Sequence, residues 1–425
     1  MKPKKTLHPF SSRTLAGCLA ACSSFAISLS DVLAQEGLRH AVDGDRAQRV
    51  RQAPLQNEGD YHKAGPVTYY FGLRYALEYR DNVFASAANE QHDFIHRPGL
   101  DTHIIWQATK SSVFNFGAGV GYTKYTRLSD QDRISLAPNT SFSWDLPVKD
   151  FLFTVFNRGS YTEDVLSQGV VSGVAAFPRF DNVSGIRAAW RPDRYMIQSG
   201  YSHQIFRSTS AQFVQLNRIT DSVFARAAYR FRPATMAGLE GTVAFSDYAS
   251  ATQPDNRSIS FGPFIEWQIT QFLNLTLRGG AVRYSFEADS AGAFGSSTLN
   301  SYYMGAELQH KLTDRISHSL SADKSVSLGV SQVGQYVSST ELIYGVAWRA
   351  NERLSFSSDA RFEDGKESRR LLSEEYKRYG IGGGVAYRIT DRISPSLRYS
   401  HTQRTSDTGF GYKVNSLVLA ATYRF

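Results

Sequence analysis

The residues with the most chemical potential in this chain are charged side chains that recur on one parity of apolar-alternating segments. Arg74, Arg187, Arg226, Arg230, Arg278, Lys311, Arg361, Arg388, Arg398 and Arg424 share that parity, and so do Glu78, Glu240, Glu266, Glu307 and Asp359. Ten bases against five acids along one face would raise the local concentration of anions. The implied chemistry is guidance or weak binding of acidic solutes, with acidic sugars or oligosaccharides as one class. The same residues also allow a plainer outcome, in which Arg–Glu pairs across neighbouring strands only stiffen a wall. Neither outcome needs a cofactor. No cluster has metal-ligand spacing, and Asp43, Asp45 and Asp81 are too sparse for a calcium cage.

Hydrolytic chemistry would need a Ser–His or Asp–His set facing a cavity. The histidines to weigh are His203, His310, His318 and His401. Tyr201-Ser202-His203 and Tyr399-Ser400-His401 are alike, but parity turns both histidines away from the charged face, so interfacial packing is expected of them. No catalytic residue is expected. Gly117, Gly119 and Gly121, then Gly380, Gly382 and Gly384, lie on the charged face. They either smooth a wall or make room for bulky neighbours. The second run is no nucleotide fingerprint, because no helix follows it.

These positions are set by elements with a period of two. Val67, Tyr69, Phe71, Leu73, Tyr75, Leu77 and Tyr79 alternate with polar and small residues. Leu273, Leu275 and Leu277 do the same, as do Leu417, Leu419, Ala421, Tyr423 and Phe425. Such alternation predicts strands with one apolar face. Short connections fall near 108–112, 147–150, 191–194, 232–235, 270–271, 313–314, 350–352 and 390–391. Longer polar ones fall near 81–92, 127–131, 164–178, 208–215, 248–256, 288–298, 324–336, 363–375 and 404–411. Seventeen connections predict 18 strands, with 16 as the alternative count.

An open sheet of that width would leave two long edges, so closure into an all-β, antiparallel, up-and-down transmembrane β-barrel is expected. Short turns at one end and long loops at the other fit an outer-membrane barrel. Trp106, Trp144, Trp190, Trp267 and Trp348 all fall just before short turns on the apolar parity. This predicts an aromatic girdle at the periplasmic rim. Phe425 closes the last apolar face and is read as the signal for the barrel assembly machinery.

The flanking sequence gives the location. Lys2, Lys4, Lys5 and Arg13 precede an apolar run from Leu15 to Leu29, and Val32 and Ala34 precede Gln35, so residues 1–34 read as a secretory signal. Leu15-Ala16-Gly17-Cys18 looks like a lipoprotein box, but Ser11-Ser12-Arg13-Thr14 stands where its apolar stretch should be. Cys18 and Cys22 are the two cysteines, so a chain cleaved there has no thiol chemistry. Residues 35–64 are polar and aperiodic and read as a flexible periplasmic arm or a short plug; 65–425 read as the barrel. Lys and Arg total 47 against 39 Asp and Glu, a mild excess without charge runs, and no nucleic-acid partner is expected. Aromatics at 13% of the chain exclude a disordered protein.

One segment goes beyond pattern. Glu78-Tyr79-Arg80-Asp81-Asn82-Val83-Phe84 is followed by Asp93-Phe94-Ile95 and by Arg97-Pro98-Gly99-Leu100. It resembles the first hairpin of the beta-barrel porin 2 family of Gram-negative outer-membrane proteins. His96 before Arg97 departs from the expected neutral spacing. Asp81-Asn82 suits a turn out of the strand, and Pro98 predicts a bulge or an interrupted ladder. The resemblance implies an outer-membrane barrel and, for some members, association with exopolysaccharide production. It implies no catalytic residue. The expected function is a porin-like channel, with the exit of an anionic exopolysaccharide as a finer version that would pair the arm with a periplasmic polysaccharide export protein. A low-conductance structural or ligand-gated barrel, closed by inward-folded loops, is the alternative, and an outer-membrane hydrolase a third.

Overall fold

In the computed structural model, the described residues are 62–109, 111–136, 140–162, 166, 171, 174, 177–288, 296–329, 334–369 and 373–425. The signal and the arm up to residue 61 lie outside them. Eighteen antiparallel strands follow one another around a closed ring. They are β1 Val67–Arg80, β2 Asp93–Gln107, β3 Val113–Tyr125, β4 in two pieces (Arg133–Leu136 and Ser141–Val148), β5 Phe151–Thr162, β6 Arg179–Trp190, β7 Tyr195–Ser208, β8 Arg218–Arg232 and β9 Thr235–Tyr248. They continue as β10 Asn256–Thr270, β11 Leu273–Phe286, β12 Ser297–Lys311, β13 Ile316–Leu328, β14 Gly334–Arg349, β15 Leu354–Arg369, β16 Glu374–Tyr387, β17 Ile393–Ser406 and β18 Tyr412–Arg424. β1 closes on β18 from Gly72–Arg424 to Arg80–Ser416, which completes the ring.

Alternation dictates which side chains meet lipid. Phe71, Leu73, Leu239, Leu277, Leu397, Leu417 and Leu419 are exposed on the outside, while Glu78, Arg187, Glu240, Glu341 and Glu363 on the opposite parity are buried inside. An apolar exterior around a closed ladder belongs in a bilayer, where every backbone group must be paired within the protein. The chain is an outer-membrane β-barrel.

The short turns, which mark the periplasmic end, are built by side-chain oxygens. Thr313 Oγ1 accepts from the Arg315 and Ile316 amides at 3.2 and 3.0 Å. Thr390 Oγ1 accepts from Arg392 and Ile393 at 3.2 and 3.1 Å, which accounts for the repeated Thr-Asp-Arg-Ile-Ser. Asn351 Oδ1 holds Arg353 and Leu354 at 2.9 Å each. Local acceptors of this kind are why Thr and Asn suit turns.

The prolines interrupt ladders without shifting them. On the β2–β3 side, pairing stops after His96–Lys124 and resumes at Gly99–Gly121 in the same register. β10 skips Gly262 and Pro263 against β11 in the same way. A missing N–H removes bonds from one side only.

Three segments depart from the sequence reading. Residues 324–336 and 363–375 are not long loops. β13 runs to Leu328, β14 starts at Gly334, β15 reaches Arg369 and β16 starts at Glu374. Above the bilayer a strand needs no apolar face, so the period-two signal fades there while the ladder continues. His62–Ala64, assigned to the arm, form a short strand on Val67–Tyr69, and the His62 ring lies 2.8 Å from the Phe425 carbonyl.

Candidate permeation site

The inward face is a ladder of ion pairs. Arg226 sits 2.8 Å from Glu266 and 3.6 Å from Glu240, with its guanidinium 3.5 Å above the Phe264 ring. Arg278 pairs with Asp323 at 3.0 Å, Arg74 with Asp101 at 3.9 Å, Arg361 with Glu341 and Arg398 with Asp359. Glu78 meets Arg80 at 2.7 Å and Arg97 at 2.8 Å and accepts from Ser416 at 2.8 Å. Lys311 turns to Asp314 in the periplasmic turn at 2.7 Å, and this hydrogen bond holds the Asp314 carboxyl below its ordinary range. Glu307 accepts from Gln309 at 2.7 Å. Arg187 is buried against the β5 wall, opposite Thr154.

Arg230 and Arg388 form no ion pair with the described residues. They stand at the periplasmic mouth, as does Arg424 on the last strand. Six of the ten lining bases, Arg74, Arg226, Arg278, Lys311, Arg361 and Arg398, therefore have an acid beside them, and Arg230 and Arg388 at that mouth have none among the described residues.

Described residues of the β5–β6 connection lie in the upper lumen. Val171 and Phe177 of the β5–β6 connection are buried with Phe206, Phe213, Leu216, Val337, Tyr376, Tyr412, Val414 and Ala85, and Leu166 and Val174 pack against this cluster. Phe206 lies on β7 and Tyr376 on β16, nine strands apart in a ring of eighteen. The two are on opposite walls. Phe177 bridges towards β7, 4.6 Å from the Phe213 ring and 6.1 Å from Phe206. On the far wall Arg378 donates to the Leu166 carbonyl and to Glu363. Glu363 also accepts from Tyr376 at 2.8 Å.

That far wall is held together by a buried ion pair. Arg404 and Glu374 are almost fully buried and pair at 2.6 Å. Ser406 donates to Glu374 at 2.6 Å, and the Arg404 guanidinium lies 4.7 Å from the Tyr376 ring centre. A buried pair of this kind holds only when its remaining hydrogen bonds are filled. These bonds are filled by Ser406 and the Phe410 carbonyl.

The sequence reading places Glu363, Glu374 and Arg404 in the loops 363–375 and 404–411, and it leaves out Arg378, which shares the inward parity of Gly380. Parity carried along the strands through both segments finds all four. It also left out Asp101, Asp323 and Glu341, the acids that match Arg74, Arg278 and Arg361.

The outward side carries the rim residues. Trp106, Trp144, Trp267 and Trp348 are exposed at the periplasmic ends of β2, β4, β10 and β14, and Trp190 stacks on Phe151 with ring centres 6.1 Å apart. Phe425 is exposed beside Tyr423, and its amide donates to the Phe71 carbonyl at 3.1 Å. All four histidines weighed for catalysis are outward. His203 and Tyr201 meet Asp221 at 2.8 and 2.5 Å. His401 and Tyr399 meet Asn415 at 2.8 and 2.7 Å. His310 and His318 meet each other at 2.8 Å.

The hairpin that carries the family resemblance is structural. Asp81 accepts from the Asn415 backbone and side-chain amides at 2.7 and 2.5 Å. Asn82 is fully buried and donates to the Ser86 and Lys413 carbonyls at 2.8 and 3.0 Å. Asp93 accepts from the Arg127 and Leu128 amides at 3.0 and 2.9 Å. These residues fasten the first loop to the closing strand β18 and to the β3–β4 loop.

No protein-family profile matches the chain, and no curated protein is similar to it. Among solved structures, it is similar to the outer membrane channel DcaP of Acinetobacter baumannii, at 13% identity over 87% of this chain and 99% of that one, with a TM-score of 0.47. It is similar to Pseudomonas aeruginosa OccK5 (OpdH) at 10% identity, covering 84% of this chain and 98% of that one, with a TM-score of 0.48. OccK9 (OpdG) of the same organism gives 12% identity, 84% and 98% coverage and a TM-score of 0.48. At these scores the likeness adds nothing to the strand count, the closure and the apolar exterior, on which the outer-membrane assignment stands.

Proposed function

We propose that the protein is a narrow outer-membrane channel for small solutes with a modest preference for anions. The observation that carries this reading is the Arg378 guanidinium holding the Leu166 carbonyl from the opposite wall. A barrel of 18 strands is wide enough for an aqueous lumen, and the β5–β6 connection narrows it at the extracellular half. Matched pairs along the wall give water and ions a polar path with little net field. The bare Arg230 and Arg388 at the periplasmic mouth supply the anion preference. The hairpin resemblance to a porin family supports the same reading.

The finer version, an exit for an anionic exopolysaccharide assisted by a periplasmic export protein, requires the Leu166–Phe177 crossing to withdraw. Planar-bilayer recording of the full refolded chain in a salt gradient tests the channel. A small, steady conductance with a reversal potential on the anion side is expected. A correctly folded barrel with no conductance would overturn the reading in favour of a closed structural barrel.

A further inference from the structure

The lumen cations are mostly paired, but a group of cations on the outer wall is not. Arg257 on β10, Arg283 on β11 and Lys324 on β13 lie on the lipid-facing parity, shared with Ile259, Phe261, Ala281 and Tyr302. None of the three forms an ion pair with a described carboxylate. Asp247 is the outward acid next above Phe245 on β9, and it too makes no pair with Arg257. Instead two of the cations rest on exposed aromatic rings. The Arg257 guanidinium is 5.3 Å from the Phe245 ring centre, and the Lys324 ammonium is 4.6 Å from that of Tyr302. Cations backed by rings in this way are held in place with their hydrogen-bond donors free.

Their height places them at a membrane surface. Arg257 is ten residues before the girdle residue Trp267 on the same strand. Arg283 is eight residues beyond Leu275, the register partner of Trp267. Lys324 is eight residues beyond Ile316, the register partner of Trp348. Eight to ten residues of tilted strand rise about 20–25 Å, and the apolar band of such barrels is about 25 Å tall. The cations therefore stand at the headgroup level of the leaflet opposite the tryptophan girdle, which is the outer leaflet.

Register shows that they form one surface. Arg283 is opposite Ile259 on one side and Asn300 on the other, and Arg257 pairs two positions away with Ser285. Tyr302 is opposite Ala281, two residues from Arg283, and carries Lys324 on its ring. Unpaired cations at an interface are drawn to anionic headgroups. Amide and aromatic surface between them suits a sugar. We propose that this face binds the phosphate-bearing sugar headgroup of an outer-leaflet glycolipid, with Arg257, Arg283 and Lys324 on the phosphates and Asn300 and Tyr302 against the sugar.

The test is native mass spectrometry of the full chain, folded in detergent, with a bisphosphorylated acylated diglucosamine as the probe. Its dephosphorylated form and phosphatidylglycerol are run beside it. The wild-type barrel should retain the bisphosphorylated glycolipid at least tenfold more tightly than either control lipid. The variant R257Q/R283Q/K324Q should lose that margin, and R283Q alone should lose about threefold. The substitutions are outside the barrel wall packing, and heat-modifiable gel mobility checks that the variants remain folded. Equal retention by a folded triple variant, or equal wild-type binding of the dephosphorylated glycolipid, would overturn the proposal. Equal binding of phosphatidylglycerol would overturn the assignment to a glycolipid. Channel conductance is not read in this experiment, so its failure leaves the pore reading untouched.

Discussion

At the scale of single residues, the buried polar groups divide the work of closing the barrel from the work of narrowing it. Asn82 is fully buried, and its amide group is occupied by the Ser86 and Lys413 carbonyls and the Ser86 amide. Asn82→Ala leaves those backbone groups without a partner. The expected loss is about 1–3 kcal/mol, read as a lower urea midpoint of the folded barrel, and an unchanged midpoint would show that the seam does not depend on it. Arg378 serves the lumen instead. Arg378→Ala strands a buried Glu363 and should cost about 3–5 kcal/mol. Arg378→Met together with Glu363→Gln should regain most of that stability while removing the Arg378 bond to the Leu166 carbonyl, so the folded double variant should conduct more than wild type. Low conductance in that variant would mean that the apolar cluster alone fixes the crossing. The sequence makes Asp81 and Asn82 legible as turn residues. It does not show that Asn415 and Lys413, their partners on the closing strand, lie more than 330 positions away, because closure is a property of the ring and not of the hairpin.

At the scale of elements, the strands were legible wherever one face meets lipid. Leu273–Leu277 and Leu417–Phe425 could be placed from period two alone, and the periplasmic turns from their Thr-Asp and Asn pattern. The signal failed where both faces are polar or covered. Glu363, Glu367 and Glu374 continue β15 and β16 above the bilayer. Val326 and Leu328 leave the outward parity and pack on the inward Val282, Tyr284 and Phe286. The β12–β13 ladder stops at Met304–Lys324, which frees the tip of β13 to turn inward. The turn acceptors give a prediction at this scale. Thr313→Ala and Thr390→Ala each remove an acceptor serving two amides and should cost about 0.5–1.5 kcal/mol. The turns are far apart in the ring, so the double variant should show the sum within about 0.5 kcal/mol. A strongly non-additive urea midpoint would place the two turns in one cooperative contact.

At the scale of the whole molecule, the fold follows from alternation, closure and turn length, and the lumen charge does not. Counting inward residues by parity gave an excess of bases. The excess shrinks once Asp101, Asp323 and Glu341 are placed beside Arg74, Arg278 and Arg361. Arg230 and Arg388 at the periplasmic mouth have no such acid among the described residues. Arg230→Gln with Arg388→Gln should therefore move the reversal potential towards the cation side while the conductance changes little. A reversal potential that stays put would assign the selectivity to the paired wall.

On the proposed channel reading, Leu166, Val171, Val174 and Phe177 of the β5–β6 connection set the width of the lumen. The most direct measurement compares single-channel conductance of the full chain with that of a variant in which residues 167–176 are replaced by a short Gly-Ser link, both refolded and checked for heat-modifiable mobility. Removal of the crossing predicts a severalfold larger conductance and passage of larger neutral sugars. Equal conductance in the two folded proteins would show that these residues do not set the width and would place the constriction elsewhere in the lumen.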